Sequence, residues 1–165
     1  MSISLKVLGV GLLSIFCLVN AECKAVPGSP GWPSAATWKA FNTSLEGQLI
    51  KPVAPGGDCH PEQPNYNAAV CPTVQAGWTT YPFHRADPVS NAWNNYNNDT
   101  CLPDPALSCS PVGYPVYVVN ASTAEHIALG VKFAKKWKIR LIVKGTGHDY
   151  MGRSVIAYPP LENQD

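Results

Sequence analysis

The stretch Lys144-Gly145-Thr146-Gly147-His148-Asp149 gathers a cation, two glycines, a hydroxyl, an imidazole and a carboxylate without interruption. Glycines allow a sharp backbone turn and a close approach to a ligand, because no Cβ stands in the way. Successive backbone N–H groups in such a turn can point at a phosphate. A neutral imidazole is a good nucleophile near neutral pH. The dinucleotide pattern Gly-X-Gly-X-X-Gly is not met, since position 150 is tyrosine, and the P-loop pattern is not met either. On residue types alone two readings stay open. One is a tight turn into a surface loop, with His148 in a structural hydrogen bond. The other is a ligand-binding loop with His148 as its reactive group.

The segments before the loop must position it. From Gly113 the chain turns regular, and Val116-Tyr117-Val118-Val119 reads as a strand. Ser122 and Glu125 form a capping box that opens a helix. Ile127, Val131, Ala134 and Trp137 recur at helical spacing as its apolar stripe, while Lys132, Lys135, Lys136 and Lys138 fall largely on the other face. Ile139-Arg140-Leu141-Ile142-Val143 then reads as a buried strand. A helix of this length can serve as a crossover between parallel strands. The glycine loop would then lie at a strand's carboxyl end, where ligands collect in parallel α/β arrangements. Upstream, Ser34 caps a short helix carrying Thr37, Trp38, Phe41 and Leu45, and a second short helix is expected from Tyr66 to Ala76. The stretch from Asn91 to Asp99 reads as loop or weak helix.

Composition agrees with a loop-rich first half. The chain has 165 residues, 45% hydrophobic and 14% charged, with 16 prolines and 13 glycines. A net charge of +1 gives no electrostatic case for nucleic acid or an anionic membrane. Lys6 followed by the apolar run Val7 to Val19 reads as a signal peptide spanning 1–21, cleaved after Ala21. The expectation is therefore a secreted chain with no membrane contact after cleavage. Cys17 leaves with the signal, and Cys23, Cys59, Cys71, Cys101 and Cys109 remain. In an exported chain disulfides are the default. Sequence neighbours suggest Cys59–Cys71 and Cys101–Cys109, although connectivity does not follow from sequence, and Cys23 is left over. Sequons at Asn42, Asn98 and Asn120 fit the same route. His60, His84 and His126 lack metal-like spacing. His84 beside Arg85 reads as solvated loop and His126 as surface. The tryptophans read as packing and rim residues.

Residues 115–154 resemble the start of the FAD-binding domain of the p-cresol methylhydroxylase/vanillyl-alcohol oxidase (PCMH) type. More closely they resemble the fungal secreted berberine-bridge-enzyme-like oxidases. The resemblance rests on Ile139-Arg140-Leu141-Ile142-Val143-Lys144 followed by Gly145-Thr146-Gly147-His148-Asp149-Tyr150-Met151-Gly152-Arg153-Ser154. Upstream it rests on Cys23, Pro27-Gly28 and Trp32-Pro33, so it covers most of 22–154. Gly145 departs from the asparagine usual in that family. The resemblance implies an α+β fold, with a loop-rich, disulfide-containing region over 22–112 and an incomplete FAD-binding domain over 113–154. It implies that Lys144, Gly145, Thr146 and Gly147 surround the FAD pyrophosphate. It also implies that His148 bonds to the 8α-methyl carbon of the isoalloxazine, and that Asp149, Gly152 and Ser154 complete the loop.

In such oxidases a small molecule (a carbohydrate, alcohol or secondary metabolite) is oxidised and O2 is the second partner. The catalytic base and any second attachment cysteine would lie beyond these residues, so no catalytic residue is assigned here. Residues 155–165 do not resemble the family's continuation. They read as an aberrant tail, such as an unspliced intron beginning at Val155 would produce, and the chain by itself is expected to bind FAD poorly. The competing reading is a secreted, disulfide-stapled binding module in which the loop is only a turn.

Overall fold

The computed structural model describes residues 24–92, 99–149, 151, 153 and 154. The signal peptide 1–21, Cys23, Asn98, Gly152 and the tail 155–165 lie outside the described residues.

The first helix, α1 (Ala35–Ser44), begins where expected. The Ser34 hydroxyl accepts from the Thr37 N–H, which satisfies one of the donors a helix start leaves open. Its inner face carries Trp38 and Phe41, followed by fully buried Leu45. Glu46 and Gly47, both at positive φ, turn the chain into the short strand β1 (Leu49–Ile50). The Asn42 side-chain oxygen accepts from Leu49 N–H and ties the strand back to the helix.

A one-turn 3-10 helix (Gly57–Cys59) leads into a run of turns. The next helix, α2, occupies Cys71–Gly77 and not the expected 66–76. Pro72 has no N–H and clashes in a helix interior, so it is accepted only in the first turn. Asn67 closes the turn ahead of it by accepting from Ala69 N–H. Helix α3 (Tyr81–Ala86), with Pro82 in its first turn, was not expected from the sequence. Cys59–Cys71 and Cys101–Cys109 are both disulfides, as sequence neighbourhood suggested.

The expected strand 116–119 contracts to β2 (Val118–Val119). It pairs antiparallel with β1, Leu49 opposite Val119 and Ile50 opposite Val118. The last helix, α4 (Ala124–Lys136), is capped by Thr123 and not by Ser122: the Thr123 hydroxyl accepts from His126 N–H. Its packed face is also rotated from the expected stripe. His126 and Ala134 are buried and Leu129 and Phe133 join the core, whereas Ile127 and Val131 are exposed. His126 is thus inside, against expectation, with its Nδ1 accepting from Ser122 N–H.

The largest departure is 139–143. Ile139 makes a single parallel bridge to Ala25, and the rest of the run forms no strand. Leu141 and Val143 are 49% and 80% exposed. A strand exists only by pairing, and among the described residues 140–143 belong to no β-bridge. The parallel crossover is therefore not formed here. The main core lies between α1 and α4. Tyr117 stacks on Trp38 at 4.0 Å and Phe133 on Phe41 at 3.9 Å.

Candidate functional site

The glycine loop rests on α3 and the turn after it. Helix α3 ends where Asp87 takes extended backbone, and the Asp87 carboxylate accepts from Val89 and Ser90 N–H at 2.8 and 2.7 Å. Such an Asx turn replaces helical hydrogen bonds with side-chain ones. Burial pushes the Asp87 carboxyl up from its ordinary pKa, opposed by those two N–H donors. Beneath the turn lies His84, 3% exposed and not solvated as the sequence suggested. Its Nε2 donates to the Trp78 carbonyl and its Nδ1 accepts from the Ser90 hydroxyl, each at 2.6 Å. A carbonyl can only accept, so these partners set the neutral tautomer with the proton on Nε2. Burial holds His84 below its ordinary pKa.

Lys144 reaches across to this turn. Its ammonium donates to the carbonyls of Asp87 at 2.8 Å and Arg85 at 3.4 Å, a cation on the carbonyl end of a helix. Partial burial lowers its pKa. Gly147 is buried with φ 77°, and a Cβ there would meet Lys144 Cε at 3.1 Å and the Ser90 carbonyl at 3.3 Å. Its own carbonyl accepts from Ala92 N–H. The left-handed backbone at 147 favours glycine, and a Cβ there would also sit tight against the Ser90 carbonyl.

His148 follows, exposed, its ring 4.4 Å from that of Tyr81 with the planes 31° apart. Tyr81, Pro82, Arg85, Ala86 and His148 line an open cleft of about 420 Å³. Gly145 and Thr146 are exposed, and their N–H groups donate no hydrogen bond among the described residues. Asp149 is gripped by Arg153, whose guanidinium bonds at 2.6 and 3.0 Å hold the carboxyl below its usual range. Ser154, Lys144 and Gly145 border a second, larger cleft of about 630 Å³, whose other walls include Ile127, Val131, Leu141 and Val143.

Of the residues expected in the loop, 144–149 are contiguous with a bend at 145–147, while Ser154 borders the second cleft together with Lys144 and Gly145. Sequence reasoning missed Tyr81, Arg85 and Asp87. The available signal was Tyr81-Pro82 followed by Asp87-Pro88, a helix start and a helix stop. His60 lies near the sulfurs of Cys101 and Cys109, but those sulfurs are bonded to each other, which takes them out of any metal-ligand set.

An α+β unit with a two-stranded sheet, two disulfides and a glycine loop seated on a short helix is therefore the class of structure observed. Its backbone matches the crystal structure of the VAO-type flavoprotein MtVAO615 from Myceliophthora thermophila. The TM-score is 0.75 at 35% identity, over 81% of this chain and 25% of that one. MtVAO713 from the same fungus matches with a TM-score of 0.73 at 37% identity, over 82% of this chain and 24% of that one. In sequence the chain is 41% identical over 145 residues to the FAD-linked oxidoreductase apf9 of Gibberella fujikuroi, 87% of this chain and 24% of that protein. It is 35% identical over 140 residues to the VAO-type flavoprotein oxidase VAO615 of Thermothelomyces thermophilus, 82% of this chain and 24% of that protein. No family model matches. Over the aligned residues the chain is a homologue of fungal FAD-linked oxidoreductases and VAO-type flavoprotein oxidases. It spans about a quarter of the length of the curated relatives it matches.

Proposed function

We propose that these residues form part of an incomplete PCMH-type FAD-binding domain of a secreted oxidase, with His148 as the covalent attachment point of the flavin. The observation that carries this is the loop itself: a buried, left-handed Gly147 beneath and an exposed imidazole at the rim of a cleft, in a homologue of FAD-linked oxidoreductases. The chain fits such a cofactor. The Gly145 and Thr146 N–H groups point to no acceptor among the described residues, as a pyrophosphate seat requires. Lys144 would contribute through its backbone, since its ammonium is held by α3. Asp149, Gly152 and Ser154 would close the loop.

Attachment would exchange the His148 N–H and one 8α-methyl C–H for a single N–C bond, and the two hydrogens would leave on O2 as hydrogen peroxide. When bound, the flavin supplies hydride uptake from a small-molecule C–H and electron transfer to O2. The role of this chain is to hold and orient. The two disulfides and the exposed sequon at Asn120 support the secretory reading.

The test is acid precipitation of the full-length enzyme that carries this segment. Flavin fluorescence should stay with the pellet and disappear in His148→Ala. A colourless wild-type protein, or an unchanged His148→Ala pellet, would reject the assignment. The chain by itself should lack both flavin absorbance and oxidase activity.

A further inference from the structure

We infer that Tyr81 is a positioning residue for His148, so that α3 and not the glycine loop alone sets the imidazole; the inference rests on the attachment role proposed above. The Tyr81 ring lies against the His148 ring at 4.4 Å and 31°. Both residues border the same cleft, together with Pro82, Arg85 and Ala86.

The two rings meet because their backbones are fixed independently. Pro82 in the first turn and buried His84, bonded through both ring nitrogens, hold α3 in place. Lys144 ties the start of the loop to the far end of the same helix, and Gly147 seats its middle on Ser90 and Asn91. The loop is therefore anchored at 144 and 147, and at 148 it is the Tyr81 face that restrains the side chain. An exposed imidazole otherwise samples several rotamers. Holding a nucleophile in one orientation before reaction lowers the barrier to bond formation.

The experiment follows the appearance of acid-stable flavin when the full-length apoenzyme is mixed with FAD. Native FAD binding and the melting midpoint are measured in parallel. Tyr81→Ala and Tyr81→Leu should slow the covalent step by about three- to tenfold, the range an aromatic pair contributes, and by more than they weaken native FAD binding. Tyr81→Phe keeps the ring and should restore the rate. Wild-type rates in Tyr81→Ala and Tyr81→Leu would overturn the inference. So would a Tyr81→Phe rate as slow as Tyr81→Ala, or a loss of native FAD binding that parallels the covalent loss. His148→Ala separates the two claims. If it keeps acid-stable flavin, the attachment site is wrong. If it loses the flavin while Tyr81→Ala reacts normally, only the role of Tyr81 is wrong.

Discussion

Around Cys101 the chain buries itself with bonds, and around Trp38 it does so with rings. The first region packs small residues, Ala54, Val89 and Cys101, with Tyr114 beside them. It has little regular structure, so its backbone carbonyls are met by side chains from far along the chain. His60 bonds the Leu102 carbonyl, Gln63 donates to Cys109 and Gln75 to Pro103. The second region has helices to satisfy its backbone and spends its side chains on packing. Trp32, Trp38, Phe41, Tyr117 and Phe133 share one aromatic cluster. The glycine loop leaves the ring-packed region and lands on α3 of the stapled one, so the candidate site depends on both kinds of burial.

The largest effect should come from Trp38→Ala. Removing a buried tryptophan from the centre of a packed cluster costs about 3–5 kcal/mol. Urea unfolding should show the loss, and hydrogen exchange should place it in α1 and α4 while protection around the disulfides persists. Equal loss of protection in both regions would show that they unfold as one. Next is the double variant Cys59→Ser/Cys71→Ser. The bridge spans 12 residues, for which loop-closure entropy gives about 2–3 kcal/mol. The urea midpoint should fall, with the exchange loss now confined to the stapled region and α3. An unchanged midpoint would mean that the polar braces alone hold that region.

The two regions were not equally legible. Helix α1 and the start of α4 could be read because capping oxygens and apolar spacing are local signals, although Thr123 outcompeted Ser122 one residue away. The disulfide pairs were suggested by sequence proximity. The residue types of the loop left two readings open, a tight turn or a ligand loop, and the family resemblance is what favoured the second. What could not be read depends on distant partners. Whether 139–143 is a strand depends on a neighbour to pair with, and among the described residues Ile139 bridges to Ala25 alone. His84 looks polar in sequence, yet the Trp78 carbonyl and the Ser90 hydroxyl pay for its burial. The platform under the loop, Tyr81 to Asn91, comes from residues more than fifty positions upstream, as the Lys144–Asp87 contact shows by its separation of 57.

The smallest predicted effect tests that platform by pH. His84 is buried neutral, with its pKa held below the ordinary 6.5 chiefly by desolvation. The unfolded chain therefore binds a proton at His84 at a higher pH than the folded chain does. Stability from this group is fully present above pH 6.5 and is lost as the pH falls through the depressed folded value. Protonation would also place a proton on Nδ1, which now accepts from Ser90, and would disturb the turn that carries Lys144 and Gly147. Melting midpoints measured between about pH 8 and about pH 5 should decline for the wild type on the acid side. In His84→Gln the amide can still donate to the Trp78 carbonyl but cannot titrate, so that part of the decline should vanish. A wild-type curve no steeper than that of His84→Gln would mean that the buried imidazole is not what couples the platform to pH.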